Sequence, residues 1–525
     1  MGSLGVRSLL SASVLALAVG LLSGASQATA TTDPSLGAVH EVWTYPRDQG
    51  HHPTSTVGRT IVLSSPAVAM VDGTAADPKP AVVVGDQSGR LLAADLATGD
   101  VRTLYSSSMP IDAPPSAAPI ATGALDTVFF GRGNRSTPCQ GTDGVVGGYT
   151  AVGADGTTLW QARVNNAAGG GSCSHIGVVA GMALVTLHGQ LSTIGMSLGQ
   201  AERGFVAATG HPLAGWNPWF QADSSASTVA VAQLNGPTRA PSIIEGGDST
   251  QGNAYGYQYF DGGHVRIVKA AGNAGTPGAG GLTCSFNTYA KGGQIVESSP
   301  AVGGFLVGGA TGIASGQGYF APYGGPVNRL WVVDASCRKV WSAKTDYLTS
   351  SPILADVNGD GRLDVVVGTQ DVSVAGASAS GSVYAFDGAT GRLLWRTTTG
   401  SVVGSLAAAD LRGTGHADIV VPTATGAPLG GLQILDGSDG RRLWSTNEAA
   451  SQGTPLITAD ANGTIGITLA GYYGVLVAGQ VALAGTIRHF ELQGSDASWL
   501  SRPTTSWLEF HHDPRLSGNA AGPLP

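Results

Sequence analysis

Short apolar segments alternate with glycine-rich turns along most of the chain. The clearest unit runs from Ser351 to Trp395 and contains an apolar strand, an Asp- and Gly-rich turn, and a second strand over 364–368. A third strand over 381–387 alternates apolar and polar positions, and a fourth ends at Trp395 after the turn Gly-Ala-Thr-Gly. Such alternation predicts strands, and the glycines predict tight turns. Four short antiparallel strands in succession are typical of one β-propeller blade.

The same unit recurs along the chain. Residues 435–444 repeat its last hairpin almost residue for residue, and strands that open with Ser-Pro or a similar pair mark further copies. Copies begin near residues 64, 116, 173, 227, 298, 350, 403 and 452. Steps of roughly 50 to 70 residues fit a four-stranded blade with variable loops. The sequence predicts a single all-β propeller of about eight blades. Seven is the alternative, because the unit near 227 is degenerate.

Closing a ring of blades buries both faces of every sheet, which one blade alone cannot do. We expect the recurring tryptophans, such as Trp341 and Trp395, to pack between adjacent blades. The repeats cover 64–493. Segments 31–63 and 494–525 lie outside them, and Trp43 to Asp48 in the first resembles Trp507 to Asp513 in the second. We expect both to be arms that dock near the closure, where pairing of the two termini within one blade would lock the circle.

The first 30 residues read as an export signal. Arg7 precedes an apolar run over 9–22, and Ala28-Thr29-Ala30 provides the small residues that a signal peptidase accepts. A membrane anchor is the alternative, but the run is shorter than the roughly 20 residues that span a bilayer. We expect cleavage after Ala30, a secreted, extracellular protein, and no membrane span.

Composition narrows the class of partner. The chain has 80 glycines, 12% charged residues and a net charge of −8. It is too apolar for a disordered protein and too rich in glycine for a helical one. No basic stripe is present, which argues against nucleic acid as a partner. We expect a monomer.

Four cysteines in an exported chain favour disulfides. Spacing leaves three pairings open. We prefer Cys139–Cys173 with Cys284–Cys337, because each pair would tie one repeat to its neighbour. The spacings are too long for a zinc motif.

One turn carries the residues of a metal site. Asp356, Asn358, Asp360 and Asp364 occupy positions 1, 3, 5 and 9 of a short loop, and the Arg362 carbonyl at position 7 can add an oxygen. Hard oxygen ligands, three of them carboxylates, suit Ca²⁺. The alternative is a turn whose aspartates only cap backbone N–H groups.

Two related turns depart from this pattern. The turn at 410–418 has Arg412 at position 3, where a cation would repel a metal, and the turn at 460–464 lacks a later carboxylate. We therefore expect one structural calcium, in the turn that begins at Asp356.

These motifs resemble known families. The hairpin over 386–395 resembles the repeat of PQQ-like (pyrroloquinoline-quinone-type) propellers, and the turn over 356–364 is similar to the FG-GAP/VCBS repeat of integrin-type propellers and secreted bacterial proteins. The segment from Trp507 to Pro514 also resembles one found near such repeats. The close match spans about 298–445. It implies a propeller and, for the turn, calcium, but it says little of function because the fold hosts many roles.

Three enzyme alternatives lack support in the sequence. A quinone-dependent dehydrogenase would be expected to have adjacent cysteines or a cationic cluster, and the chain has no adjacent cysteines, which argues against PQQ as a cofactor. A glycosidase or polysaccharide lyase needs two acids at a set distance, but Glu245, Glu297 and Glu491 are scattered. The pairs His51-His52 and His511-His512 would point to opposite faces of a strand, so we assign them structural or surface roles.

We therefore expect a secreted, calcium-stabilised propeller that binds an extracellular polymer or protein, with no catalytic residues to name. Its ligand would lie on one face near the central channel. The glycine-rich insertions at 165–172, 271–281 and 371–381 are candidate contacts. An extracellular enzyme on the same fold is the alternative. Acids or cations converging at the channel mouth would favour the enzyme, and a channel lined by backbone and small residues would favour binding.

Overall fold

Eight four-stranded antiparallel sheets follow one another along the chain. They are seen in a computed structural model that describes residues 33–47, 54–133, 147–164, 177–197, 201–216, 219–220, 226–234, 236, 239–247, 263–272, 281–288, 296–318, 328–371, 380–424 and 431–522. Inner strands of neighbouring sheets contact each other, and the inner strand of the last sheet contacts that of the first. The chain is thus a single all-β propeller of eight blades, as predicted, and the seven-bladed alternative is wrong. The described residues contain no α-helix, only short 3-10 helices such as Pro34–Leu36, Val307–Gly309 and Ala497–Ser501.

Each blade runs from an inner strand at the central channel to an outer strand at the rim. The first strand of the chain is β1 (Val39–Tyr45). Blades 1 and 2 contain β2 (Ala67–Thr74), β3 (Asp77–Gly85), β4 (Arg90–Asp95), β5 (Val101–Ser106), then β6 (Ser116–Ala118), β7 (Thr127–Arg132), β8 (Gly148–Val152), β9 (Thr158–Arg163). Blades 3 and 4 contain β10 (Met182–Leu187), β11 (Gln190–Met196), β12 (Ala201–Val206), β13 (Trp219–Phe220), then β14 (Ala230–Ala232), β15 (Ser242–Gly247), β16 (His264–Lys269), β17 (Leu282–Asn287).

Blades 5 and 6 contain β18 (Ala301–Gly303), β19 (Gly312–Gln317), β20 (Arg329–Asp334), β21 (Lys339–Lys344), then β22 (Ile353–Ala355), β23 (Asp364–Gly368), β24 (Gly381–Phe386), β25 (Leu393–Thr399). Blades 7 and 8 contain β26 (Ala407–Ala409), β27 (Asp418–Thr423), β28 (Gly431–Leu435), β29 (Arg442–Thr446), then β30 (Leu456–Ala459), β31 (Ile465–Val477), β32 (Gln480–Leu492). One end of the ring, the turn face, carries the connections between first and second and between third and fourth strands. The opposite end is the connection face.

The N-terminal strand completes the last blade. Strand β1 pairs with β32 along its length, from Val39 opposite Leu492 to Tyr45 opposite Ile487. The first strand of the chain and the last strand of the repeats therefore pair within one blade. This position differs from the expectation that 31–63 is only an arm outside the blades, because Trp43 lies in the outer strand of blade 8. Its resemblance to the segment at 507–513 does not reflect a common role, since that segment lies in the channel.

Hydroxyl groups at the starts of the inner strands join one blade to the next. In each case a main-chain N–H donates to a Ser or Thr hydroxyl of the following blade: Gly181 to Thr228 (2.8 Å), Thr228 to Ser299 (2.9 Å), Ser299 to Ser351 (2.9 Å), Ser405 to Thr454 (3.1 Å) and Thr454 to Ser65 (2.9 Å). Ser65, Ser299 and Ser351 are the serines of the recurring Ser-Pro pair. That motif thus marks a contact between blades as well as the start of a strand.

Tryptophans join neighbouring blades at the rim, as predicted. The indole N–H donates to a carbonyl in the third-to-fourth-strand turn of the next blade: Trp43 to Leu96 (3.0 Å), Trp160 to Ala207 (2.7 Å), Trp216 to Ala270 (2.6 Å), Trp341 to Gly388 (2.8 Å) and Trp395 to Gly437 (2.5 Å). Gly391 and Gly440 in these turns have φ of 73° and 74°, and a Cβ at either would lie 2.6 Å from an indole ring atom. Both backbone conformation and space therefore require glycine.

A disulfide joins Cys284 of β17 to Cys337, which follows β20, with their Cα atoms 5.8 Å apart. The predicted Cys284–Cys337 pair is confirmed, and it ties blade 4 to blade 5 as expected. Cys139 and Cys173 lie outside the described residues, as do the export signal at 1–30 and most of the glycine-rich insertions. Within the part of the chain that is described, we find no helix with the length and apolar character that crossing a membrane requires.

Candidate metal centre and central channel

The predicted calcium turn connects the first two strands of blade 6. Asp356 follows β22 and Asp364 begins β23, and both side chains are buried. Asn358, Asp360 and Arg362 lie between them and are exposed. Gly359 and Gly361 have positive φ, so the glycines allow the backbone to curl as predicted. The turn thus places two carboxylates inside the blade and leaves the other candidate ligands at the turn face.

In this conformation the side chains cap backbone N–H groups. Asp356 Oδ1 accepts from Gly359 N at 2.7 Å, and its Oδ2 accepts from Gly361 N at 2.7 Å. Asn358 Oδ1 accepts from Asp360 N and Asp360 Oδ1 accepts from Arg362 N, both at 2.9 Å. The carboxylates of the predicted set are not gathered within 4.8 Å of one another. The capping interpretation and the calcium interpretation therefore both remain compatible with this turn.

The electrostatics of the turn fit a bound cation. Burial raises the pKa of Asp364 to about 7, and the charges of Asp360 and Asp356 add to the rise, while N–H groups of Val357 and Gly388 oppose it. No ion pair reaches any of the three aspartates from the described residues. Buried carboxylates with no opposite charge nearby are costly, so this donor set suits a hard divalent ion.

Blade 7 supplies its own cations at the matching turn. The Arg412 guanidinium lies 2.7 Å from Asp418 and 2.9 Å from Asp436, and Arg502 pairs with Asp410. His416, Asp418 and Asp436 have ligand atoms within 4.8 Å of one another, but Arg412 already contacts both aspartates. A metal ion there would meet a buried positive charge, so we assign blade 7 no metal.

The third turn, in blade 8, is a simple capped turn. Asp460 Oδ1 accepts from Asn462 N at 2.8 Å and from Thr464 N at 2.7 Å. No carboxylate stands at its position 9, which is Thr468 in β31. Of the three related turns, only that of blade 6 combines three carboxylates with no arginine partner.

Four of the eight inner strands consist of small residues, and the other four, β2, β10, β22 and β30, carry larger apolar side chains. Strands β6, β14, β18 and β26 read Ser-Ala-Ala, Ala-Val-Ala, Ala-Val-Gly and Ala-Ala-Ala, and their side chains are buried. The remaining space holds the C-terminal segment, residues 502–520, in which Trp507, Glu509, His511 and Leu516 are buried. We expected this part of the chain to be an arm that docks near the closure of the ring, but its contacts extend well beyond the closure.

The C-terminal segment meets the inner edge of every blade in turn. An N–H of each blade donates to it: Asp356 to Thr504 O, Ala408 to Trp507 O, Ile457 to Leu508 O, Val68 to Glu509 Oε2, Ala117 to Pro514 O, Leu184 to Arg515 O, Val231 to Ser517 O and Val302 to Gly518 O, at distances from 2.6 to 3.2 Å. In blade order these contacts run 6, 7, 8, 1, 2, 3, 4, 5. The segment therefore makes one full circuit of the channel.

Both histidines of the His511-His512 pair belong to this circuit. His511 Nδ1 lies 2.8 Å from Leu516 O, and its Nε2 lies 3.0 Å from Pro300 O in blade 5. Burial lowers the pKa of His511 to about 4. His512 packs edge-on against Trp507, with ring centroids 5.0 Å apart. These contacts are structural, and His51-His52 lies outside the described residues.

One pair of acids is brought together that the sequence did not reveal. Glu202 of β12 and Glu245 of β15 are fully buried where blades 3 and 4 meet, and Arg266 Nη1 lies 3.4 Å from Glu245 Oε1. Burial and then the Glu245 charge raise the pKa of Glu202 well above its ordinary value. Burial alone would raise the pKa of Glu245, but His264 and Arg266 lower it. No signal links the two glutamates in the sequence, because they come from different blades.

Comparison with known proteins agrees with the ring of blades. A PQQ-type family model described as "Outer membrane protein assembly factor BamB" matches residues 328–481. The fold is a PQQ-like β-propeller. No curated protein sequence matches the chain.

Solved structures of the same fold include proteins of differing roles. Quinohemoprotein alcohol dehydrogenase from Comamonas testosteroni is 10% identical, with a TM-score of 0.51, over 88% of this chain and 78% of that one. A europium-containing methanol dehydrogenase is 10% identical, with a TM-score of 0.50, over 88% of this chain and 94% of that one. Sqt1 from Saccharomyces cerevisiae is 9% identical, with a TM-score of 0.50, over 83% of this chain and 96% of that one. At such identities the likeness concerns the fold alone.

Proposed function

We propose that the protein is a secreted, calcium-stabilised propeller that binds an extracellular polymer or protein and catalyses no reaction of its own. The central channel is the observation that carries this proposal. The inner strands present their backbone edges to it, and the C-terminal segment accepts a hydrogen bond from each blade there. A substrate entering from the turn face would meet the protein's own backbone. The family description that matches 328–481, an assembly factor, agrees with a role in binding other proteins.

Calcium would be held by the blade 6 turn. Asp356, Asn358, Asp360, Asp364 and the Arg362 carbonyl are the candidate ligands, as in the FG-GAP/VCBS repeat that the turn resembles. A bound ion would supply the positive charge that Arg412 supplies in blade 7. Its role would be to fix the turn and neutralise Asp364.

The connection face offers the ligand a surface. The β31–β32 hairpin is 13 residues long in each strand, longer than any other pair in the ring that the structure describes. It carries no charged residue from Leu469 to Thr486, and Leu476 and Val477 near its tip are 59% and 41% exposed. Neighbouring exposed apolar side chains often mark an interaction site.

Binding can be tested directly. Purified protein would be presented with immobilised polysaccharides and cell-surface proteins in calcium, and binding followed by interferometry. We expect Leu476→Ser with Val477→Ser to weaken binding at least tenfold. Val307→Ser provides the control, because Val307 is 77% exposed but lies between the first and second strands of blade 5, on the turn face. Release of reducing ends, or alcohol oxidation with added PQQ, would show instead that the protein is an enzyme.

Hydrolysis of a glycosidic bond is a second candidate, favoured by the Glu202–Glu245 pair. Acids with pKa values displaced in opposite directions can serve as general acid and base. Against it, both side chains are fully buried, and they hydrogen-bond to each other, closer than the roughly 5 Å or more that separates the two acids of a glycosidase. Hydrolysis is tested by incubating the protein with a panel of polysaccharides and measuring new reducing ends. Activity that is lost in both Glu202→Gln and Glu245→Gln, with folding intact, would support hydrolysis.

A further inference from the structure

The eight inner strands each present an open edge to the channel, and one segment meets all of them. In a propeller the inner strand has a partner on one side only, so its other N–H groups need acceptors. Here one N–H per blade finds an acceptor in the C-terminal segment. Seven of these acceptors are main-chain carbonyls, and the eighth is the Glu509 carboxyl group. The contact has the character of an extended peptide bound to sheet edges.

The conformation of the segment depends on the ring. His511, His512 and Leu516 have φ of 58°, 84° and 55°. Residues other than glycine seldom adopt this region unless their surroundings impose it. The segment includes no strand or α-helix of its own. Its shape is fixed jointly by the contacts with the blades and by bonds within the segment, such as those from Gly518 N to His511 O and from Leu516 N to Asp513 O, both at 2.8 Å.

The connection that leads into the segment is suited to being cut. Gly494 has a φ of 80°, and a Cβ placed on it would meet nothing within 4 Å. Gln493 is the last residue held by main-chain pairing to the N-terminal region, through Ala38 O at 2.9 Å. The contacts that span this point are two hydrogen bonds of Ser495, from its N at 3.3 Å and its Oγ at 2.7 Å to Leu492 O.

We propose that the C-terminal segment is a separable internal ligand: severed from the chain, it stays bound to the inner edges of the eight blades and closes the channel at the turn face. The occupant of this site is the protein's own C-terminal segment, residues 502–520, which cleavage after Gly494 would release as part of a longer fragment. Other ligands of the propeller then bind at the rim or the connection face.

The test uses the full chain with a protease recognition sequence inserted after Gly494. After cleavage, we expect the fragment to co-elute with the ring in size-exclusion chromatography and to be replaced slowly by labelled peptide 495–525. Loss of the fragment from the folded ring on cleavage, unfolding of the cut protein, or failure of the labelled peptide to enter would each overturn the proposal.

Two variants sharpen the result. Ala117→Pro removes the one N–H that blade 2 donates to the segment, at an open edge where proline is tolerated. One hydrogen bond of about 1 kcal/mol corresponds to roughly fivefold faster release. Trp507→Ala, which empties a buried site in the channel, should release the fragment at least tenfold faster. Trp499→Ala is the comparison, because Trp499 belongs to the same fragment but packs on Gly413 at the turn face, outside the channel; equal effects of the two tryptophan variants would contradict the proposal.

Discussion

Cys284 and Cys337 take the places that a tryptophan and a glycine occupy at other seams between blades. Cys284 faces Ile267 just before a bulge in its strand pair, as Trp341 faces Val332 just before a bulge. Cys337, with a φ of 57°, stands directly before Arg338, where Gly391 stands before Arg392 in the next blade. The disulfide thus substitutes a covalent link for the packing of an indole on a turn.

This substitution predicts a rescue. Cys284→Ser with Cys337→Gly should lower the free energy of unfolding by about 2 to 4 kcal/mol, the usual value of a disulfide. Cys284→Trp with Cys337→Gly should recover a large part of that loss, because it restores the contact made at other seams. Chemical denaturation under non-reducing conditions measures both. If the Trp variant is no more stable than the Ser variant, the two kinds of seam are not equivalent.

Calcium should stabilise the protein more strongly as the pH rises. The pKa of Asp364 is about 7 in the folded protein and about 4 in an unfolded chain. Without metal, the contribution of Asp364 to the free energy of unfolding is therefore greatest below pH 4, and it falls as the pH rises to 7. Calcium needs the ionised carboxylate, so its effect should grow over the same range. Free calcium at 100 times its Kd would raise the free energy of unfolding by about 2.7 kcal/mol.

Thermal melting with calcium or with a chelator, at intervals from pH 5 to pH 8, checks this prediction. Asp364→Asn should abolish both the calcium shift and its pH dependence. Asp460→Asn is the matched control, because it alters the related turn of blade 8 and should leave the calcium shift in place. A shift of the same size in the Asp364 variant would rule out this turn as the site.

Replacing Arg412 should convert blade 7 into a second calcium-dependent blade. Arg412→Asn puts an amide oxygen at position 3 of the turn, between Asp410 and Thr414, and keeps Asp418 at position 9. It also removes the cation from two buried carboxylates. Loss of one partner of a buried ion pair costs about 3 to 5 kcal/mol. We expect calcium to restore part of this loss.

Arg412→Met separates the two effects. This substitution removes the same charge but introduces a side chain that offers no oxygen. The variant should therefore lose as much stability as Arg412→Asn and gain nothing extra from calcium. Calorimetric titration would show two bound ions for Arg412→Asn and one for Arg412→Met. One ion in both would contradict the view that the guanidinium takes the place of a metal.

Mild acid should weaken the fold through two buried histidines. Burial lowers the pKa of His489 and of His511 to about 4, from 6.5 in an unfolded chain. The unfolded chain therefore takes up protons first, and stability present above pH 6.5 is lost as the pH falls to 4, by up to about 3 kcal/mol for each group. His489→Gln should keep the contact with Thr468 and reduce the loss. Urea denaturation at pH 7 and pH 5 measures how much stability each protein loses in acid. If the variant loses as much as the original protein, the loss does not come from His489.

The sequence predicts the ring well because its period is carried by side chains. Trp341, Trp395, the Ser-Pro starts and the Asp-rich turns recur at matching places, so their pattern is visible in one dimension. The path of the C-terminal segment around the channel leaves no pattern in the sequence. The blade N–H groups bind mainly its main-chain carbonyls, which every residue has. The same holds for Glu202 and Glu245, which approach only when blades 3 and 4 pack together. Neither relationship has a fixed spacing along the chain.

The pairing of Val39 with Leu492 has a consequence for how the molecule reaches this state. The outer strand of the last blade is made near the start of the chain, and its partner is made near the end. Pairing across such a sequence separation is slow, because loop closure must come before the contact that rewards it. During synthesis, blades 1 to 7 can assemble while β1 is still unpaired, because β32 has not yet been synthesised. Assembly of blade 8 is therefore the step at which a chain of this design is most exposed to mispairing with another copy.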